Sequence, residues 1–226
     1  TARVSHPHVV RVITLGKHRD TPYLVMEFLD GEDLEQRIKS RGAMALDDAL
    51  RLMLPVLSAV QAAHDEGLVH RDLKPANIMI EASSDGRDRP VVVDFGIARV
   101  SDAPHDHVQT RGSALLGTPA YMSPEQTRGA REVTSQSDLY ALGVITLECL
   151  TGVLTFDGAS MLVLLTRIAT GEYTPLHMHR PELPAELEAV IARAMALDPA
   201  ERFATVRDFA LALLPFADAV THAHWS

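Results

Sequence analysis

The longest periodic stretch of the chain runs from Leu46 to Glu66, where Leu50, Met53, Leu54, Leu57 and Val60 recur every three or four positions. That spacing gathers them on one face of an α-helix. Asp47 and Asp48 stand near its positive N-terminal end, and Gly67 ends it. Pro55 lies inside and is expected to cost one backbone hydrogen bond and introduce a kink. Ser137–Leu150 is almost wholly apolar and predicts a central helix, with Ser135 and Ser137 as candidate caps. Shorter helices are predicted over Asp33–Lys39, Met161–Thr170, Pro184–Ala196 and Val206–Leu214, with Pro184 in a first turn. Val9–Leu15 and Tyr23–Phe28, around the polar stretch Gly16–Pro22, predict two antiparallel strands. Val91–Val93 predicts a short buried strand, and Ala82–Pro90 before it an exposed hairpin. Phe216–Ser226 is left unassigned.

Three segments then change the picture. His70-Arg71-Asp72-Leu73-Lys74-Pro75-Ala76-Asn77 fits the pattern H-R-D-L-x-x-x-N, Asp94-Phe95-Gly96 fits D-F-G, and Ser123-Pro124-Glu125 stands where A-P-E is usual. In this order they resemble the catalytic loop, metal-binding loop and activation-segment end of the protein kinases. The resemblance implies an α+β, protein-kinase-like fold: a mostly helical large lobe with a remnant of the β-rich small lobe. There is no Gly-x-Gly-x-x-Gly, and none of the three lysines, Lys17, Lys39 and Lys74, falls at the phosphate-gripping strand position. The expectation is a kinase domain that starts late. Residues 1–28 would be the end of helix C and the last two small-lobe strands, 29–215 the large lobe, and 216–226 a tail. Such a fragment is expected to bind ATP weakly, to be inactive alone and to expose apolar surface and sheet edges.

Composition narrows the function classes. At 226 residues the chain suits one domain, with room for two structural lobes. A net charge of -9 argues against nucleic acid as a partner. The single Cys149 excludes an internal disulfide framework and, in its apolar run, reads as a buried thiol. No apolar run is long enough to span a bilayer. The kinase domain is therefore expected to be cytoplasmic, with membrane contact only through a segment outside this chain. Arginine outnumbers lysine 18 to 3, a bias typical of GC-rich bacterial genomes.

By resemblance, Asp72 is the base that accepts or orients the proton of a substrate hydroxyl, and Lys74 neutralises the moving phosphate. Lysine at that position is the serine/threonine-kinase pattern. Asn77 and Asp94 supply hard oxygens for Mg²⁺. Met26 falls at the gatekeeper position at the back of the adenine pocket, Glu27-Phe28-Leu29-Asp30-Gly31 is the hinge, with Gly31 letting the chain turn, and Met79 packs beneath the adenine. ATP and Mg²⁺ are the implied cofactors, and proteins bearing Ser or Thr the implied substrates. Arg71 implies control by phosphorylation, with Thr110 and then Ser113 as the sites, while Thr118 shapes the hydroxyl site beside Asp72 and Lys74. Ser101 also lies in that segment. His70 and Phe95 are expected to stack, Asp138 to hold the catalytic loop from below or else cap its own helix, and Glu125 to pair with Arg202. The pairs His105/His107, His177/His179 and His222/His224 are read as solvated rather than metal-binding. Two other functions compete. One is a pseudokinase-like module that docks partners on the large lobe, for which the intact Asp72, Asn77 and Asp94 have no use. The other is a small-molecule phosphotransferase, which would not need the 32 residues from Asp94 to Glu125.

Overall fold

The computed structural model describes residues 4–19, 21–82, 88–95, 119–129 and 133–225. Strands β1 (Val12–His18) and β2 (Thr21–Met26) pair antiparallel, with His18 opposite Thr21. The ladder thus extends from both sides into the stretch Gly16–Pro22 expected as a turn. Polar residues stay in the ladder because both strands are largely solvent-facing and lose little by it. Ile13, Leu15 and Tyr23 are about half exposed on this pair. Val9 and Val10 are not part of β1. Val10 N–H donates to Val92 O at 3.0 Å and Val92 N–H to His8 O at 2.8 Å, which ties residues 8–10 to the large sheet.

That sheet has three antiparallel strands: β3 (Gly31–Asp33), β4 (Ile78–Ala82) and β5 (Asp88–Val92), with β4 in the middle. The hairpin expected over Ala82–Pro90 is present, but its arms reach into that stretch as strand. Gly31 serves a different purpose from the one its place in the sequence suggests. Its φ is not in the left-handed region; instead, a Cβ there would lie 2.0 Å from Ile80 O, so only glycine admits β4 this close.

Helix α1 (Leu34–Arg41) is capped by Asp33, whose Oδ1 accepts Gln36 N–H at 2.8 Å. Helix α2 (Leu46–Asp65) buries Leu50, Met53, Leu54, Leu57 and Val60, as the periodicity requires, and carries Pro55 within it. After α3 (Pro124–Thr127) comes α4 (Ser135–Thr151), buried on every side from Ser137 to Leu150. Thr134, rather than Ser135 or Ser137, caps it, its hydroxyl accepting Gln136 N–H at 3.3 Å. Helices α5 (Met161–Thr170), α6 (Leu176–His179), α7 (Ala185–Ala194), α8 (Val206–Leu213) and α9 (Ala219–Trp225) surround this axis. Gly143 lets α4 and α7 touch: a Cβ there would stand 2.9 Å from Met195 Cγ. Pro184 is the cap residue of α7 and not its first helical residue. The unassigned tail is largely α9, tied down by Asp218, whose Oδ2 accepts from Arg51 Nε at 3.0 Å.

Two carboxylates lock the outer elements to α4, with opposite electrostatics. Arg202 is buried and forks onto Glu125 at 3.0 and 2.8 Å. It also donates to Gln136 O and Ala196 O, both at 2.8 Å, and lies 5.0 Å from the centroid of the Tyr140 ring. Burial pushes the Glu125 carboxyl up, but the Arg202 hydrogen bonds and charge outweigh it and hold the pKa at about 2. Glu148, inside α4, accepts from Tyr121 Oη at 2.7 Å. Here burial wins over that hydrogen bond and raises the carboxyl to about 7. Burial and the adjacent Glu148 together push the Tyr121 hydroxyl up as well.

Arg202→Met leaves Glu125 unpaired and is expected to cost on the order of 3–5 kcal/mol, read as a lower urea midpoint. The Glu125 contribution is complete above its unfolded value of 4.5 and lost as pH falls through about 2. Glu125→Gln should therefore flatten that acid limb. Glu148 has the reverse sign: the folded state keeps its proton longer than the unfolded one, so stability declines from pH 4.5 to about 7. Glu148→Gln retains an acceptor for Tyr121. It should match the wild type near pH 4.5 and exceed it at pH 8 in the same urea titration.

Candidate active site

The loop from His70 to Asn77 joins α2 to β4, and its backbone is held from beneath. Asp138, fully buried in the first turns of α4, accepts His70 N–H at 2.7 Å on Oδ2 and Arg71 N–H at 2.8 Å on Oδ1. A third donor, His64 Nε2 in the last turn of α2, reaches Oδ2 at 2.8 Å. Since a carboxylate only accepts, His64 carries its proton on Nε2. Asp138 therefore does not cap its own helix; it holds the loop. With its N–H fixed, Arg71 sits at a φ of 73°, a left-handed conformation that costs a residue with a Cβ about 1–3 kcal/mol.

His70 ties this loop to the segment that ends in Asp94. Its Nε2 donates to Val93 O at 2.8 Å, and its Nδ1 accepts Asp72 N–H at 3.4 Å. One neutral tautomer serves both bonds. Burial lowers the His70 pKa, against the opposing pull of Asp138, the Val93 bond, Asp72 and Asp94. The rings of His70 and Phe95 are 4.9 Å apart and tilted by 58°, so they touch but do not stack as expected. Val93 N–H donates in turn to Asn77 O at 3.0 Å. The two segments are thus cross-linked by hydrogen bonds of opposite sense, and Asp94 follows at a φ of 61°.

The reactive side chains project from this frame. The Asp72 carboxylate is 66% exposed, yet Lys74 Nζ holds its Oδ2 at 2.7 Å. Asn77 is buried and donates from Nδ2 to Asp72 O at 2.7 Å. That bond fixes the amide and turns Oδ1, an acceptor only, to other use. Asp94 is exposed. An amide oxygen and a carboxylate, on segments laced together, are hard donors that fit Mg²⁺ and do not fit a soft metal.

Along the hinge, Glu27 N–H donates to Arg11 O at 3.0 Å and Glu27 Oε1 accepts Arg11 N–H at 2.9 Å. Its side chain is thus folded back onto the Arg11 backbone. Met26 is half-buried opposite Val12, and Met79 is half-buried on the face of β4 away from Ile78 and Ile80. Phe28 is 87% exposed and packs on nothing substantial. Arg71 is exposed. Gly96, Ser101, His105, His107, Thr110, Ser113 and Thr118 lie outside the described residues. His177 and His179 lie on α6, where His177 Nδ1 meets Glu188 at 3.0 Å; His222 and His224 lie on α9.

Two residues that sequence reasoning passed over belong to the site's support. His64 had no distinguishing signal, being one polar residue at the end of a periodic helix. Gln126 did: Ser123-x-x-Gln126 is a capping-box spacing, and the box forms. Among the described residues no helix is long and apolar enough to cross a membrane.

The geometry has counterparts. The sequence profile of the protein kinase domain matches residues 1–216. The chain is 38% identical over 212 residues to the serine/threonine-protein kinase pkn3 of Myxococcus xanthus, covering 92% of this chain and 39% of that protein. It is 36% identical over 205 residues to the serine/threonine-protein kinase PrkC of Bacillus subtilis, covering 91% of this chain and 30% of that protein. The chain thus spans roughly a third of the curated relatives it matches. Among solved structures, the kinase domain of Mycobacterium tuberculosis PknI superposes with a TM-score of 0.72 at 28% identity, over 95% of this chain and 73% of that one. Matched along nearly its whole length, with the three motifs set in one hydrogen-bonded frame, this chain belongs to the protein kinase domain family.

Proposed function

We propose that the protein carrying this chain is a serine/threonine protein kinase that moves the γ-phosphate of ATP to serine or threonine hydroxyls of other proteins. The observation that carries the reading is the state of Asp72: its carboxylate is solvent-facing and held by Lys74, while its own backbone is fixed by Asn77. Such a group meets a hydroxyl in a set orientation. The relatives named as serine/threonine kinases support the same reading.

In the proposed mechanism Asp72 accepts the hydroxyl proton as the oxygen attacks the γ-phosphorus, the bond from that phosphorus to the β-phosphate oxygen breaks, and ADP leaves. Lys74 offers its ammonium to the transferring phosphoryl group. Asn77 Oδ1 and the Asp94 carboxylate would hold Mg²⁺, which supplies charge neutralisation on the phosphates. The Glu27 carbonyl, Met26 and Met79 would receive the adenine, with Phe28 at the rim. Arg71 would fork onto a phosphate carried by Thr110 or Ser113, and Thr118 would shape the hydroxyl site.

Asp72→Ala is expected to lower kcat roughly a hundred- to ten-thousand-fold while Mg-ATP affinity, measured by calorimetry, stays close to wild type. Unchanged turnover would remove Asp72 from the chemistry. Mass spectrometry of actively phosphorylating protein should find phosphate on Thr110 first and Ser113 second. A segment from Asp94 to Glu125 bare of phosphate would refute control through Arg71.

A further inference from the structure

The peptide unit between Arg71 and Asp72 determines where the Asp72 side chain starts, and it is gripped at both ends. On one side Asp72 N–H donates to His70 Nδ1 at 3.4 Å. On the other, Arg71 O accepts from Gln126 Nε2, also at 3.4 Å. The second grip comes from a different part of the fold. Gln126 follows Glu125, which Arg202 and the Ser137 hydroxyl hold to the core. Its amide is bifunctional: Oε1 accepts Ser123 N–H at 2.9 Å and the Ser123 hydroxyl at 3.0 Å, and this fixes which way Nε2 points. A plane held at only one end can rotate about the left-handed Arg71, whereas one held at both cannot.

Resting on the kinase reading above, we infer that Gln126 is a positioning residue: its Nε2 arm fixes the Arg71–Asp72 peptide plane and so aims the Asp72 carboxylate. The inference links the end of the activation segment to the base by a side chain that touches no substrate. A plain helix cap would need only the Oε1 arm.

The two arms separate chemically. Gln126→Glu keeps an acceptor for Ser123 and removes the donor to Arg71 O; Gln126→Ala removes both. Both variants are made in the full-length protein. Hydrogen exchange of peptides covering residues 68–76 and 122–128 is followed, together with thermal unfolding and steady-state kinetics on a generic protein substrate. Gln126→Glu should leave the unfolding temperature and the exchange of 122–128 at wild-type values, yet speed exchange of 68–76. Its kcat should fall by roughly 3- to 10-fold, the effect of one ordinary hydrogen bond, with KM for ATP unchanged. Gln126→Ala should show the same loop exchange with a lower unfolding temperature. Wild-type exchange over 68–76 in Gln126→Glu overturns the inference, and so does wild-type kcat. Absence of phosphoryl transfer by the wild type itself would sink the kinase reading instead, leaving the exchange comparison to decide Gln126 alone.

Discussion

Much of this structure depends on one buried carboxylate. Asp138 is taken out of water inside a helix that is itself enclosed, which is costly for a charge unless donors replace the lost solvent. Three do: two backbone amides of the catalytic loop and the ring of His64. Neither amide could be met by regular secondary structure, because the loop turns through a left-handed residue at Arg71. The desolvation of Asp138 and the strain at Arg71 are thus two halves of one arrangement. Each is tolerable because the other is present. The outcome is a reactive loop anchored to the most enclosed helix of the fold, so its geometry inherits the rigidity of the core.

The same helix shows how position sets the behaviour of a carboxyl group. Glu148 lies farther along α4 and meets only a phenol, so burial dominates and its proton is retained to about pH 7. Glu125, at the helix's other end, meets a guanidinium with its remaining donors already spent on carbonyls, and stays ionised down to about pH 2. Both groups join the segment 119–125 to α4. Joining by a neutral hydrogen bond at one point and by an ion pair at the other gives that segment one seam sensitive near neutrality and one indifferent to it.

Much of the fold could be read from the sequence because the relevant forces are local. The face of α2 follows from residue spacing, and the burial of α4 on every side from its strongly apolar run. The three motifs point to the candidate site because the chemistry they suggest requires those residue types. What escaped was set by distance. The β3 strand is three residues, Gly-Glu-Asp, with no apolar alternation, and exists only because β4 lies beside it. Gly31 looked like a turn residue, and its actual reason is an oxygen 49 positions away in sequence. Thr134 won the capping position from Ser135 and Ser137 because Ser137 is committed to Glu125. His64 is invisible without Asp138 above it.

The site residues divide along the same line. Asp72, Lys74 and Asn77 form a short-range constellation within six positions, so the sequence groups them, while their bonds to one another are seen only in the structure. The frame that aims them is not grouped in this way. It consists of Asp138 on α4, Val93 after β5 and Gln126 on α3, each meeting the loop across a long stretch of chain, with His64 of α2 holding Asp138 from behind. The bonds inside the loop set these groups against one another but do not fix the loop on the fold. Its order has to be imported from elements that are already rigid. The candidate catalytic groups are therefore concentrated in sequence and the groups that hold them are dispersed, as expected when chemistry fixes the first set and packing selects the second.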